Sequence, residues 1–256
     1  MHVVLAPNDT MNVNRATGTS TLSALDTIDP TPSALSSRGT AVTRGVWLPA
    51  TLGAMDERWN HNIEYHKVIR RALADRPLAT VLDVGTGEGN LAADLARMGA
   101  RVTAIDLDPA CVARAASQDP TVDFVVGDFM VHPFGPGAFD AVVSVAALHH
   151  MHEADALCRM AELLRPGGTL AVVGLARSEW PGSWPWDLAG TVTTRLLRRR
   201  HGGCWEPDTP KVWPPPSSYS EIETTARSVL PGVRFRRHVL WRYSLVWTKP
   251  SVPTSA

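Results

Sequence analysis

Val81-Leu-Asp-Val-Gly-Thr-Gly-Glu-Gly-Asn-Leu-Ala92 is the stretch on which the reading of this chain turns. A short β-branched run ends at Val84, glycines follow at 85, 87 and 89, and a helical pattern then runs from Asn90 to Met98. Glycines placed after a strand let the backbone turn tightly and approach a ligand, with the N–H groups of the next helix facing it. The spacing is GxGxG. A dinucleotide loop of the GxGxxG kind needs its third glycine at position 90, where this chain has Asn90. Asp83, two residues before the first glycine, would repel a pyrophosphate and suits a cationic amino group.

Beyond the loop the chain alternates between strand-like and helix-like runs. Arg101–Asp106, Val122–Val126, Phe139–Ala146 and Gly168–Leu175 read as strands, and Ala110–Ser117 and Ala154–Leu164 as helices. This alternation predicts an α/β fold, a doubly wound parallel sheet with right-handed crossovers covered on both faces. Asp106 falls at a strand end 23 residues after Asp83, the spacing at which a carboxylate reaches ribose hydroxyls. Asp108, just before Pro109, reads as a cap for the next helix. Gly127-Asp128-Phe129 ends the third strand, where Asp128 offers an acceptor to an exocyclic amine and Phe129 a ring face to a purine. Each of these is a common turn or core residue when taken alone. In register they form an adenosine pocket across the carboxyl ends of three consecutive strands.

These motifs resemble the class I S-adenosylmethionine-dependent methyltransferases, as do the strand Phe139-Asp-Ala-Val-Val-Ser-Val-Ala-Ala-Leu-His-His-Met151 and the turn Leu164-Arg-Pro-Gly-Gly-Thr-Leu170. The likeness covers about residues 57 to 176 and, more loosely, the final strands. It implies a Rossmann-like seven-stranded, mostly parallel sheet whose last strand is antiparallel, and S-adenosylmethionine as cofactor. It also implies that Asp83, Gly85 and Gly87 hold the methionine moiety, Asp106 the ribose, and Asp128 with Phe129 the adenine. His149 and His150, just past the fourth strand, are candidates for a general base, or for packing beside the cofactor.

Outside this core the composition shifts. Residues 1–43 are rich in Thr, Ser, Asp and Pro without a sustained period and are expected to be a disordered leader. The core then spans 44–177, including a helix over about 56–74 that carries Trp59, Ile63, His66 and Leu73 at helical spacing. Tyr65 and His66 on this helix either touch the ligands or pack. Residues 178–231 form a Trp- and Pro-rich insertion with a helix from Asp187 to Arg200, which is expected to cover the substrate. Its tryptophans at 180, 184, 186, 205 and 213 read as an aromatic lid or as a satellite core; Trp180, Trp184 and Trp186 stand nearest the fifth strand, and Trp184 and Trp186 are the candidate substrate contacts. Residues 232–256 close the core with a β-hairpin and tail.

Composition limits the remaining choices. The 256 residues are 44% hydrophobic, enough for one well-buried core, and 25 Lys and Arg balance 25 Asp and Glu. From Asp187 onward the balance is basic, eleven Lys and Arg against five Asp and Glu. Cys111, Cys158 and Cys204 form no CxxC pair, which argues against a disulfide framework or a zinc site and favours a reducing cytoplasm; no metal is expected. No run approaches the roughly 18 apolar residues of a membrane span, and the start has no basic n-region of a secretory signal. The expected partner is a small-molecule acceptor of the secondary-metabolite kind, without nucleic acid or membrane. Two alternatives remain. An NAD(P)-dependent oxidoreductase is disfavoured by Asp83 and by the lack of a Tyr-x-x-x-Lys pair. A nucleic-acid or protein methyltransferase is also possible, although the Asp/Asn-Pro-Pro-aromatic signature of the nucleic-acid amino-methylating type is replaced by Ala146-Ala-Leu-His-His150.

Overall fold

Residues 59–74, 79–206 and 212–251 are described by the computed structural model of the chain; the expected leader, 1–43, lies outside them. The apolar runs form the strands β1 (Thr80–Val84), β2 (Arg101–Asp106), β3 (Asp123–Val126), β4 (Phe139–Val145), β5 (Leu164–Leu175), β6 (Arg234–His238) and β7 (Arg242–Thr248). They make one sheet in the order β3-β2-β1-β4-β5-β7-β6. β1 pairs in parallel with β2 and β4, β2 with β3, and β4 with β5. β7 runs antiparallel to both β5 and β6, as the seven-stranded expectation requires.

Helices cover both faces because the central strands are apolar on both sides. On one face lie α1 (His66–Leu73), α2 (Asn90–Arg97) and α3 (Pro109–Gln118), burying Ile69, Leu95 and Val112 against Val81, Val102 and Val143. α3 begins as the sequence suggests: Asp108 accepts from the Ala110 N–H at 2.8 Å, and Pro109 occupies the first turn. On the other face α4 (Glu153–Leu163) buries Leu157 and Met160 against Leu82, Val142 and Val172. The α5 helix (Trp184–Arg200) starts three residues before its expected Asp187 and buries only Gly190, leaving Leu188, Val192 and Leu196 exposed.

One boundary needs correction. The segment 178–231 is not a single insertion, because its last part forms α6 (Tyr219–Val229), which buries Tyr219, Ile222 and Ala226 in the α4 face of the core. The helix starts with a reciprocal capping box: Ser218 Oγ accepts from the Glu221 N–H, and the Glu221 carboxylate accepts from the Ser218 N–H. The Ser-x-x-Glu signal was present in the sequence but stood directly behind Pro214-Pro215-Pro216. The first helix also differs from expectation, opening as a 3-10 turn at Ile63–Tyr65 before α1.

If α6 is part of the core, Ile222→Ala should lower unfolding free energy by about 2–5 kcal/mol in urea titrations, the cost of truncating a fully buried aliphatic side chain. A loss under about 1 kcal/mol would return residues 219–229 to a peripheral cover.

Candidate active site

β1 delivers Asp83 to the carboxyl edge of the sheet, and the chain then turns through Gly85, Gly87 and Gly89 at φ +70°, +54° and +73°. These values lie in the left-handed region, so glycine is required for unstrained turning. Gly85 has a second reason. A Cβ there would stand 2.2 Å from the Cβ of Ala147, where the chain leaves β4. The loop is tied to β2 by Gly85 N–H donating to the Ile105 carbonyl at 2.9 Å and Gly87 N–H donating to Asp106 Oδ2 at 2.8 Å. The other Asp106 oxygen accepts from the Asp108 N–H at 3.0 Å. Each carboxylate oxygen retains a further lone pair, so Asp106 both props the loop and keeps acceptor capacity for a ligand.

The loop borders a cavity of about 600 Å³. Its walls carry Asp83, Glu88, Asp106, Asp108 and Asp128 and, among the described residues, no Lys or Arg. Glu88 is paired with Arg114 at 2.9 Å and Asp108 caps α3; Asp83, Asp106 and Asp128 are the acids left to meet a ligand. Asp83 is buried, it accepts from the Thr86 hydroxyl at 2.8 Å, and burial pushes its carboxyl up to about 7. An acidic cavity of this kind fits a cationic ligand bearing hydroxyls and an amine, as S-adenosylmethionine does, and opposes the pyrophosphate of a dinucleotide.

The sequence-derived residues fall into two groups. Asp83, Gly85, Gly87, Asp106, Asp128, Phe129, His66 and His150 all line the cavity. Phe129 is also buried in the α4 face, with the Arg159 guanidinium 5.8 Å from its ring, so it is as much core as wall. His66 is fixed by Asp94 of α2 at 3.2 Å. The four others stand outside the cavity lining. His149 is buried behind His150, and burial together with the neighbouring cations holds its imidazole down at about 4. Tyr65 donates its hydroxyl to the Val239 carbonyl, anchoring the first helix to the β6–β7 turn. Trp184 is exposed, and the Trp186 ring lies 5.0 Å from the Arg237 guanidinium.

Asn60, Asn62 and Trp205 are among the further wall residues. Asn60 and Asn62 precede α1, and Asn60 Oδ1 accepts from the N–H groups of Asn62 and Ile63, which starts the 3-10 turn. Trp205 reaches the cavity because its N–H donates to the Trp59 carbonyl at 2.7 Å, while His201 stacks on Trp59 at 5.4 Å. An Asn-x-x turn before a helix was a usable signal for Asn60. Trp205 stood among the five tryptophans of the expected lid, and nothing local singled it out from the other four.

Residues 82–172 match the model of a methyltransferase domain family. An uncharacterized methyltransferase of Mycobacterium tuberculosis is 38% identical over 201 residues, which is 77% of this chain and all of that protein. A ubiquinone biosynthesis O-methyltransferase of Xanthomonas campestris is 43% identical over 131 residues, 47% of this chain and 53% of its own length. Among solved structures, the cyclase SpnF superposes with a TM-score of 0.54 at 19% identity, covering 78% of this chain and 86% of that one. A phosphoethanolamine N-methyltransferase of Haemonchus contortus, in complex with S-adenosyl-L-methionine, gives 0.53 at 16% identity, covering 75% of this chain and 53% of that one. Both superpositions support the fold.

The raised Asp83 carboxyl gives a signed expectation. Its folded value of about 7 exceeds the ordinary 3.8, so this group destabilises the ligand-free fold as pH rises through that window. A bound ammonium draws Asp83 into its ionised form, so affinity for S-adenosylmethionine should rise between about pH 5 and pH 7, with proton uptake by buffer in calorimetric titration. A pH-independent affinity, or tighter binding of NAD, would place the cation elsewhere.

Proposed function

The chain belongs to the class I S-adenosylmethionine-dependent methyltransferases, and from that membership we propose that it methylates a small-molecule acceptor by in-line transfer. Its cofactor is S-adenosylmethionine, which supplies an already activated methyl group. The work left to the chain is to bind, align, exclude water and, for a hydroxyl acceptor, take up a proton. In this reading Asp83 meets the amino group of the methionine end, with Gly85 and Gly87 allowing close approach. Asp106 serves the ribose, and Asp128 with Phe129 the adenine.

The observation that carries the small-molecule reading is the extent of the cavity. Besides the glycine loop and the acids, its walls include Asn62, Ile63, Met151 and Trp205. About 600 Å³ falls within the range of cofactor and small-ligand sites. The partial likeness to a ubiquinone biosynthesis O-methyltransferase supports the same acceptor size. Unlike Trp184 and Trp186, Trp205 lines the cavity, so in this reading it is the tryptophan of the insertion that meets an acceptor. Among the described residues no helix is long and apolar enough to cross a membrane. The three cysteines are free, in keeping with a cytoplasmic site of action.

His150 takes the acceptor proton in this proposal. It lines the cavity, and burial, partly offset by Asp106, depresses its pKa below 6.5. The imidazole is therefore neutral and able to accept a proton near pH 7. A panel of phenols and quinols tested with labelled cofactor identifies a working acceptor. With it, turnover should fall as pH drops through the depressed value, and His150→Ala should slow it by about 10²–10⁴-fold. Cofactor affinity should stay within about threefold, ~0.7 kcal/mol. Turnover unchanged in the variant would remove His150 as the base and leave alignment as the chain's contribution.

A further inference from the structure

Behind Asn62, a wall residue of the cavity, lies a buried cation that the reaction as described does not use. Arg242, the first residue of β7, is 7% exposed and forms no ion pair among the described residues. Its Nη1 donates to the Leu240 and Trp241 carbonyls at 3.1 and 3.4 Å, and Nη2 donates to Asn62 Oδ1 at 2.7 Å. Of the five guanidinium N–H donors, Nε and one on Nη2 are left over.

Other buried polar atoms, donors and acceptors alike, also lack partners: His149 Nδ1, the hydroxyls of Tyr219 and Tyr243, and Nε and Nη2 of Arg237. Arg237 lies over the Tyr219 ring at 4.0 Å. The neighbouring carboxylates are committed: Asp187 accepts from Ser178, Ser183 and Trp241, and Glu153 accepts from Ser217. A buried cation without a counter-charge is costly, and so is each buried donor left unbonded, so the cluster gains most from an arriving oxyanion.

We propose that Arg242 receives a carboxylate carried by the methyl acceptor, which enters at Asn62. This rests on the small-molecule reading above and gives that acceptor a chemical class. Asn62 both lines the cavity and supplies the one side-chain oxygen now bound to Arg242. A carboxylate that displaces this neutral oxygen exchanges an ordinary hydrogen bond for a charge-assisted one of about twice the strength. The planar guanidinium fork, with Nε and Nη2 available, matches a carboxylate geometrically. Arg242 pairs with Leu175 at the carboxyl end of β5, on the far side of β4 from β1 and its glycine loop. The anion is thereby kept away from Asp83, Asp106 and Asp128, which would repel it.

The test uses the full chain saturated with S-adenosylhomocysteine and titrated calorimetrically with benzoate and with benzamide, an uncharged analogue of similar shape. Benzoate should bind at least about tenfold more tightly than benzamide, the scale of a charge-assisted hydrogen bond. Asn62→Asp, which supplies a carboxylate from the chain itself, should abolish the preference, as should Arg242→Met. S-adenosylhomocysteine affinity should remain within about threefold in both variants. Equal binding of the two probes by the natural chain, or a preference that survives Asn62→Asp, overturns the proposal. Loss of S-adenosylhomocysteine affinity in Arg242→Met overturns it too, since the guanidinium would then serve the cofactor's own carboxylate. Should Arg242→Met fail to fold, the Asn62→Asp comparison decides alone. Failure of S-adenosylhomocysteine to bind the natural chain refutes the parent reading instead, and is seen before either probe is added.

Discussion

Two loops at the middle of the sheet pass so close that the glycine of one leaves no room for a side chain. Gly85 leaves β1 where Ala147 has just left β4, and a Cβ on Gly85 would come within 2.2 Å of the Cβ of Ala147. Ser144 ties the same two strands by donating its hydroxyl to the Val84 carbonyl at 2.9 Å. Strand order reverses here, since β2 and β3 extend to one side of β1 while β4 and β5 extend to the other. Their crossovers accordingly leave on opposite faces, and a crevice opens between them. The near contact fixes how the two rims of that crevice meet. It holds Asp83 below the glycine loop, and it accompanies a φ of +56° at Ala146, a left-handed conformation costly for a residue with a Cβ. The 3-10 turn Leu148–His150 follows at once, so the placement of His150 on the cavity depends on the same junction.

What was legible in the sequence is what local geometry dictates. The glycine spacing, the acid before it and the acids at the ends of β2 and β3 have roles set by strand direction and turn chemistry, and all of them reach one cavity. The adjacent His149 and His150 show the limit. A 3-10 turn sends neighbouring side chains in different directions, so one faces the cavity and the other the interior, and no spacing rule separates them. Trp205 is a longer-range case. It reaches the cavity through a backbone hydrogen bond to Trp59, about 146 positions earlier in the chain, and composition carries no trace of such a pairing. The overlooked α6 had a readable start in Ser218 and Glu221, but three prolines and scattered tryptophans upstream made the whole stretch resemble a cover.

The fold does not choose the reaction. A cyclase superposes on this chain as well as an N-methyltransferase does, so the sheet and its crossovers supply a platform and the charges on it must distinguish one use from another. Here the charge is strongly patterned. The glycine-loop end presents Asp83, Asp106 and Asp128, and Asp83 is buried deeply enough that protonation competes with ionisation near neutral pH. Outside the cavity lining, behind Asn62, stands the buried guanidinium of Arg242, while Arg237 lies over the rings of Tyr219 and Trp186.

That pattern has an energetic logic. A cavity acidic throughout would hold the cofactor and leave the orientation of an acceptor undetermined. An acidic cavity with a buried cation behind one of its walls gives a bound cation and a bound anion separate addresses, with a penalty for exchanging them. Low-dielectric walls strengthen both preferences, because field lines between fixed charges are poorly screened where water is excluded. The burial of Arg242 is therefore a cost in stability that has a use in orientation. The cap formed by residues 59–66 and the β6–β7 turn sustains it, since Asn62 and the Leu240 and Trp241 carbonyls hold the guanidinium in place while leaving its Nε edge uncommitted.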